Sequence, residues 1–327
     1  MIRALGALSL LALAGCGRYA DFTLALGQPP HSLYRWSAES SPVLGRGPAG
    51  AFDSVDALNP SVFLRDGRYW NLYSGFDGRI WNTGLAVSDD GRSWTKLGRV
   101  LSPDSATWEG DYIAANGSAL VVGSEVYYWY QAGSPPRIGL ARSSDGKSWR
   151  KDPKPVLDFG PRGAWDERAA ADPYVIRYGD WFYLYYLGED RARRQRLGLA
   201  RSADGVVWTR LRSNPILELG PERAFDENGL GEPAVWPAGG GFYMLYTGRA
   251  RNEVRRMGLA RSADGVHWER TPLLIEGSEP WNSKVVCDAT VFDKGGVLRV
   301  WFGGGDVPHP AENIHGQIGF ATLGIAP

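Results

Sequence analysis

One phrase constrains this chain more than any other feature, because it is written four times at nearly constant spacing. It reads "GLAVSDDGRSW" ending at Trp94, "GLARSSDGKSW" at Trp149, "GLARSADGVVW" at Trp208 and "GLARSADGVHW" at Trp268. The tryptophans are 55, 59 and 60 residues apart. Periodicity on this scale marks stacked or radial units, each too small to bury its own apolar face. Within a phrase an Asp-Gly pair separates two strand-like runs, which predicts a hairpin turn because glycine accepts positive φ there without steric cost. Two further strand-like runs precede each phrase, starting at Asn59, Asn116, Asp172 and Glu232, and a fifth such pair starts at Asp288. These starts are spaced 57, 56, 60 and 56 residues apart. Five units of four short antiparallel strands predict an all-β, five-bladed β-propeller.

The last unit ends in "GQIGFATLGIAP", before any Asp-Gly turn or outer strand. The N-terminal segment supplies the missing part. "YRWSAESSPVL" (34–44) is similar to "KSWRKDPKPVL" (147–157), which puts Trp36 where the outer-strand tryptophan is lacking. An N-terminal strand completing the last blade closes the ring and leaves no open sheet edge between blades. The recurring tryptophans are expected to pack between blades. The Ser-x-Asp-Gly-x-x-Trp phrase resembles the Asp box of sialidase propellers, one residue shorter between Asp and Trp, so Asp90, Asp145, Asp204 and Asp264 read as turn formers.

Composition narrows the classes. With 36 basic and 36 acidic side chains among 327 residues, the chain has no net charge to draw nucleic acid toward it. The opening "MIRALGALSLLALAGC" pairs Arg3 with an apolar run over 4–14, which predicts an export signal too short to remain as a membrane span. "LAGC" resembles a bacterial lipobox, which implies lipid on Cys16; the alternative is an ordinary signal peptide. The expected organisation is a signal peptide at 1–15, a tether at 16–32 and a propeller domain at 33–327. The expected product is a monomeric exported lipoprotein on a cell-envelope membrane, touching lipid through Cys16 alone. Cys287, the only other cysteine, reads as a buried and inert thiol.

Aligning the units on their shared phrase exposes one column where they differ: Asn59, Asn116, Asp172, Glu232 and Asp288. It stands at the start of each innermost strand, where propeller strands surround the central channel. Aromatics precede it in every unit (Phe52, Trp108, Trp165, Phe225 and Trp281), mostly followed by an acid. Carboxylates beside aromatic faces suit glycosidic chemistry, which uses one carboxyl to protonate the leaving oxygen and another to activate water or attack. Asp53, Asp166 and Asp226 recur in register and read as structural. Asp172 and Glu232 change type within a repeated frame and read as functional.

At "ADPYV" (171–175) and "GEPAV" (231–235) the chain resembles the five-bladed glycoside hydrolases of families 43, 62, 32 and 68, family 43 most of all. The resemblance implies an inverting mechanism on arabinose- or xylose-type or related bonds of a poly- or oligosaccharide. In it Glu232 is the general acid, and Asp172 orients substrate and raises the acid's pKa by its charge. Asn59 departs from the family, whose first-blade residue is an aspartate base; an amide cannot take that proton. Three remedies stay open: Asp288 is the base, Asp53 or Asp56 swings in, or phosphate replaces activated water as in the related family 130 mannoside phosphorylases. The arginine-rich loops "GEDRARRQR" and "GRARNEVRR" suit the last. Expected substrate contacts are Asn59, Asn116, Asp56, Trp108, Trp165 and Arg249. No cofactor is required; the family resemblance allows a structural calcium ion in the central channel, assisted by His315 or His309. The alternatives to a hydrolase are a non-catalytic carbohydrate-binding propeller and a phosphate-dependent phosphorylase.

Overall fold

The computed structural model describes residues 19–325; Cys16 and the expected signal peptide lie outside the described residues. Two short strands, β1 (Tyr19–Ala20) and β2 (Tyr34–Ala38), precede the repeats. The first repeat forms β3 (Asp56–Arg65), β4 (Arg68–Phe76), β5 (Trp81–Ser88) and β6 (Thr95–Leu101). The second forms β7 (Ala114–Val122), β8 (Glu125–Ala132), β9 (Arg137–Ser143) and β10 (Arg150–Lys151). The third forms β11 (Ala169–Tyr178), β12 (Trp181–Glu189), β13 (Gln195–Ser202) and β14 (Thr209–Leu211). The fourth forms β15 (Gly229–Ala238), β16 (Gly241–Arg249), β17 (Arg255–Ser262) and β18 (Glu269–Ile275). The last has β19 (Val285–Lys294), β20 (Val297–Gly305) and β21 (Gln317–Ile325), preceded by one 3-10 turn at Pro280–Asn282. Each repeat is an antiparallel meander in chain order, and β2 pairs antiparallel with β21, Trp36 lying opposite Leu323. The first strands touch in a closed circuit, β3 to β7, β11, β15, β19 and back to β3.

An apolar cluster fills each gap between successive sheets. Trp129, Ile138 and Leu140 of the second meet Val175, Phe182 and Leu184 of the third, and Trp301 and Phe320 of the last meet Tyr69 and Tyr73 of the first. Burying one such ring removes about 200 Å² from water, worth roughly 5 kcal/mol at ~25 cal/mol per Å². The repeated phrase supplies the other side of this packing. In each copy the Asp carboxylate accepts two backbone N–H groups, as Asp204 does from Val206 (2.8 Å) and Val207 (2.9 Å), and the Ser hydroxyl accepts the glycine N–H. The four glycines have φ between 74° and 79°. Trp129 Nε1 donates to Gly205 O (2.8 Å) and Trp301 Nε1 to Gly91 O (2.7 Å), so the turn of one sheet receives an indole from its neighbour. Turn formation is therefore the work of Asp90, Asp145, Asp204 and Asp264.

The recurring acids ahead of the first strands are structural as well. Asp166 is fully buried, accepts from Tyr186 Oη (2.9 Å) and pairs with Arg210 (2.9 Å). Asp226 does the same with Tyr246 and Arg270, and Asp53 with Tyr73 and Lys96. Glu109, with Tyr130 and Lys151, is the second repeat's version. In the fifth repeat all three members change together: the acid is Asn282, the tyrosine Phe302, and the position two after Trp36 is Ala38. Removing the acid or the cation alone would bury an unpaired charge.

The described part of the expected tether runs against the third and fourth repeats. Tyr19 and Ala20 pair parallel with Arg210 and Leu211 of β14, the Leu24 N–H donates to Asp264 O (2.9 Å), and Tyr243 Oη donates to Ser32 O (2.7 Å).

Candidate active site

The divergent column has its own backbone signature. Asn59, Asn116, Asp172, Glu232 and Asp288 all take positive φ, 48°, 48°, 46°, 51° and 56°. At each of them the ladder between first and second strand shifts register, as between Ala171 and Tyr174 or between Gly231 and Ala234. A left-handed non-glycine residue costs roughly 1–2 kcal/mol, and five in one ring are strain concentrated where the side chains converge. The bulge re-aims each residue out of the regular ladder, and all five line both a cavity of about 720 Å³ and a narrow one of about 30 Å³.

The column residues are knitted together. The Asp288 N–H donates to Glu232 Oε2 (3.3 Å), and the Asn59 N–H to Asp288 Oδ2 (3.3 Å). The Asn116 side chain and the Glu232 backbone lie beside Asp172 and act to lower its pKa. Burial, and next the charge of Glu232, push Asp172 up to about 7 against the opposing pull of Arg255. Asp288 is raised well above the carboxylate range, again by burial first and Glu232 second. Asp172 and Asp288 are thus both raised, by burial first and by their neighbour Glu232 second. Arg255, buried at the start of β17, faces Glu232, Cys287 and Asp288 and is held by the carbonyls of His309 (2.9 Å) and Pro310 (2.7 Å). Cys287 is buried as expected: its thiol donates to Asp288 Oδ2 (3.1 Å), and burial pushes its pKa up.

The larger cavity has two unlike walls. One is aromatic and apolar: Leu58, Trp81, Tyr112 and Ile113, with Trp81 stacked on Phe76 at 4.8 Å. The other is polar: Arg168, Glu189, Arg193, Gln195 and Arg249. Pro310, Ala311 and Glu312 add a rim.

Of the residues expected at the site, Glu232, Asp172, Asp288, Asn59, Asn116 and Arg249 line this cavity. Four others do not. Asp56 is fully buried and accepts the N–H groups of Asn313 and Gly316, both at 2.7 Å, so it pins the 306–316 loop instead of touching substrate. Trp108 packs over Gly139 and Trp165 between Gly188 and Gly198, each filling space that a side chain would otherwise take. His315 is exposed and hydrogen-bonds Asp306 (2.8 Å) outside the cavity lining. Asp288 is also unsuited to the role of base. It is 5% exposed, its Oδ2 is engaged by two donors, and it approaches Glu232 within 4.8 Å, too close for the water that an inverting pair holds across about 6.5–9.5 Å. Asp53, locked to Tyr73 and Lys96, is not free to swing in.

Among the described residues the one group of His, Cys, Asp and Glu side chains close enough to share an ion is Glu232, Cys287 and Asp288, which includes a thiol and adjoins the Arg255 guanidinium. Calcium takes six to eight oxygens. Sequence reasoning missed Trp81, Tyr112, Gln195 and Arg255. Trp81, Gln195 and Arg255 sit at the starts of third strands, a second divergent column that the same alignment contains.

A meander of four-stranded sheets with diverged polar residues at the first-strand starts defines a class, the propeller-like fold of glycoside hydrolases and phosphorylases. Residues 69–215 match the family model described as "Glycosyl hydrolases family 32 N-terminal domain". The fold is that of a family 117 glycoside hydrolase from Zobellia galactanivorans, with a TM-score of 0.69, 17% identity and coverage of 89% of this chain and 90% of that one. In sequence the chain is 28% identical over 231 residues to an uncharacterized protein of Mycobacterium tuberculosis, covering 64% of this chain and 75% of that protein. It is 30% identical over 149 residues to a 1,2-beta-oligomannan phosphorylase of a Thermoanaerobacter species, covering 42% of this chain and 46% of that enzyme.

Proposed function

We propose that this chain is a five-bladed propeller closed by β2 and that it cleaves glycosidic bonds of a poly- or oligosaccharide in the 720 Å³ cavity. The observation carrying this reading is the strained ring of column residues that aims two carboxyls, Asp172 and Glu232, into the cavity floor beside Arg255. In this reading Asp172, raised to about 7, holds a proton near neutrality and passes it to the adjacent Glu232, which hands it on to the leaving oxygen. Asn59 and Asn116 offer amide donors and acceptors to sugar hydroxyls. The test is turnover of a glycan panel followed by product analysis: Glu232→Gln abolishes turnover with an unchanged melting temperature. Retained activity in that variant rules out Glu232 as the acid.

A second reading, phosphorolysis, draws on one observation: none of the candidate bases, Asp288, Asp53 or Asp56, is placed to activate water, whereas arginines line the cavity. Running the same panel with and without inorganic phosphate separates the two, since phosphorolysis releases sugar phosphate only when phosphate is added. Export as a lipoprotein anchored at Cys16 completes the proposal; mass spectrometry of the mature N-terminus tests it.

A further inference from the structure

The polar wall of the cavity carries more than a hydrolase acting on neutral sugar needs. Arg249, the last residue of β16, lies opposite Gly229 in the ladder, and its guanidinium folds over that glycine. A Cβ at Gly229 would come within 3.3 Å of Arg249 Nε and Nη2, so the absence of a side chain there makes the guanidinium's seat. Gln195 accepts from Arg249 Nη2 (2.9 Å) and donates to Glu189 Oε2 (3.2 Å), and Glu189 in turn holds Arg168 (3.1 Å). This chain of contacts fixes Arg249, whose Nη1 stands 3.4 Å from Glu253, yet its buried Nε–H has no acceptor.

Arg193 lines the same wall. Its turn is built on Asp190, whose carboxylate accepts from the backbone of Ala192 (2.9 Å) and Arg194 (3.0 Å) and pairs with Arg194 and Arg196. Arg193 takes φ 62° within that turn, is exposed, and makes no ion pair with a described residue. The other arginines of the two basic loops are mostly spent on acids: Arg196 on Glu218, Arg251 on Glu227 and Arg256 on Glu276. Three loop arginines line the cavity together with Trp81 and Tyr112: Arg255, bound through Nη2 to the carbonyls of His309 and Pro310, and the pair Arg193 and Arg249, which make no such contact with that loop.

We propose that Arg249 and Arg193 receive an oxyanion carried by the glycan itself, and that the substrate class is a carboxylate-bearing, uronate-containing oligosaccharide whose ring lies toward Trp81. Planar guanidinium donors match a carboxylate in two-point geometry. This rests on the glycosidase reading above, but its test does not.

The experiment uses the full protein carrying Glu232→Gln, so that bound glycan persists, and titrates it by calorimetry with uronate oligosaccharides and with their methyl esters. The ester keeps shape and removes charge. The expected result is at least tenfold tighter binding of the acid form, with the preference lost on adding Arg249→Gln and Arg193→Gln. Gly229→Ala, which retains the arginine but obstructs its seat, is expected to lose part of the preference. Equal binding of acid and ester, or a preference that survives the double arginine substitution, overturns the inference. So does inorganic phosphate displacing the acid form while the wild type releases sugar phosphate, because the wall then serves the co-substrate. If the wild type cleaves neutral glycans and is unaffected by Arg249→Gln, the inference falls and the glycosidase reading stands. Carboxylate-dependent binding without cleavage of any glycan sustains the inference and removes the glycosidase reading.

Discussion

Arg210→Met perturbs a buried charge while keeping most of the side chain's volume. Arg210 is 5% exposed and, among the described residues, is the one cation paired with Asp166, itself fully buried; Tyr186 supplies the other side-chain donor. Deleting one partner of a buried pair costs about 3–5 kcal/mol, because the other charge remains without compensation. At roughly 2 °C per kcal/mol for a domain of this size, the melting temperature falls by about 6–10 °C. The fifth repeat shows the remedy, since Asn282 and Phe302 stand there in place of acid and tyrosine. The triple variant Asp166→Asn, Tyr186→Phe, Arg210→Met removes every charge at once and is expected to lose less than half as much as the single substitution. Thermal unfolding followed by circular dichroism at pH 7 measures both. A triple variant as unstable as Arg210→Met, or more so, refutes the reasoning and assigns the cost to packing instead of to an orphaned carboxylate.

Other outcomes follow from the same geometry. Because Asp172 is raised to about 7, the folded chain keeps a proton that the unfolded chain loses above about 4, so its contribution to stability is lost as pH rises through that window. Asp172→Asn should therefore flatten the urea midpoint between pH 4 and 7; an unchanged slope contradicts the raised value. Asp56→Ala leaves the N–H groups of Asn313 and Gly316 without their acceptor, at a cost of about 2–5 kcal/mol. Since that loop carries Pro310 to Glu312 into the cavity rim, KM should rise more than kcat falls in a steady-state assay. Gly205→Ala combines φ 76° with a Cβ 2.8 Å from Trp129, and should lower the urea midpoint by the equivalent of about 2–4 kcal/mol without altering the slope.

Much of the fold was legible because the repeat is a local signal. Asp-Gly turns, alternating strands and the length of the period are set by neighbouring residues, and the similarity of the 34–44 segment to 147–157 pointed to the pairing of β2 with β21. The column of Asn59, Asn116, Asp172, Glu232 and Asp288 was legible for the same reason: an alignment of the chain with itself shows where sameness stops.

Roles within that column were a different matter. Asp56 and Asp288 have the residue type of a catalytic base, yet two loop amides engage the first, and burial with Glu232 alongside raises the pKa of the second. Trp108 and Trp165 have the type of a sugar platform, yet they fill the space above glycines, and the aromatic wall belongs to Trp81 and Tyr112. Arg255 was one arginine among many until its strand start came to lie against three groups from the fourth and fifth repeats. The sequence by itself determined the repeat, its strands and the ring of divergent positions, since these depend on local chemistry and period. Only the tertiary structure decided which carboxyls are raised, which arginines are free and which aromatics face the cavity. Desolvation and charge coupling act through space, between residues brought together from different repeats.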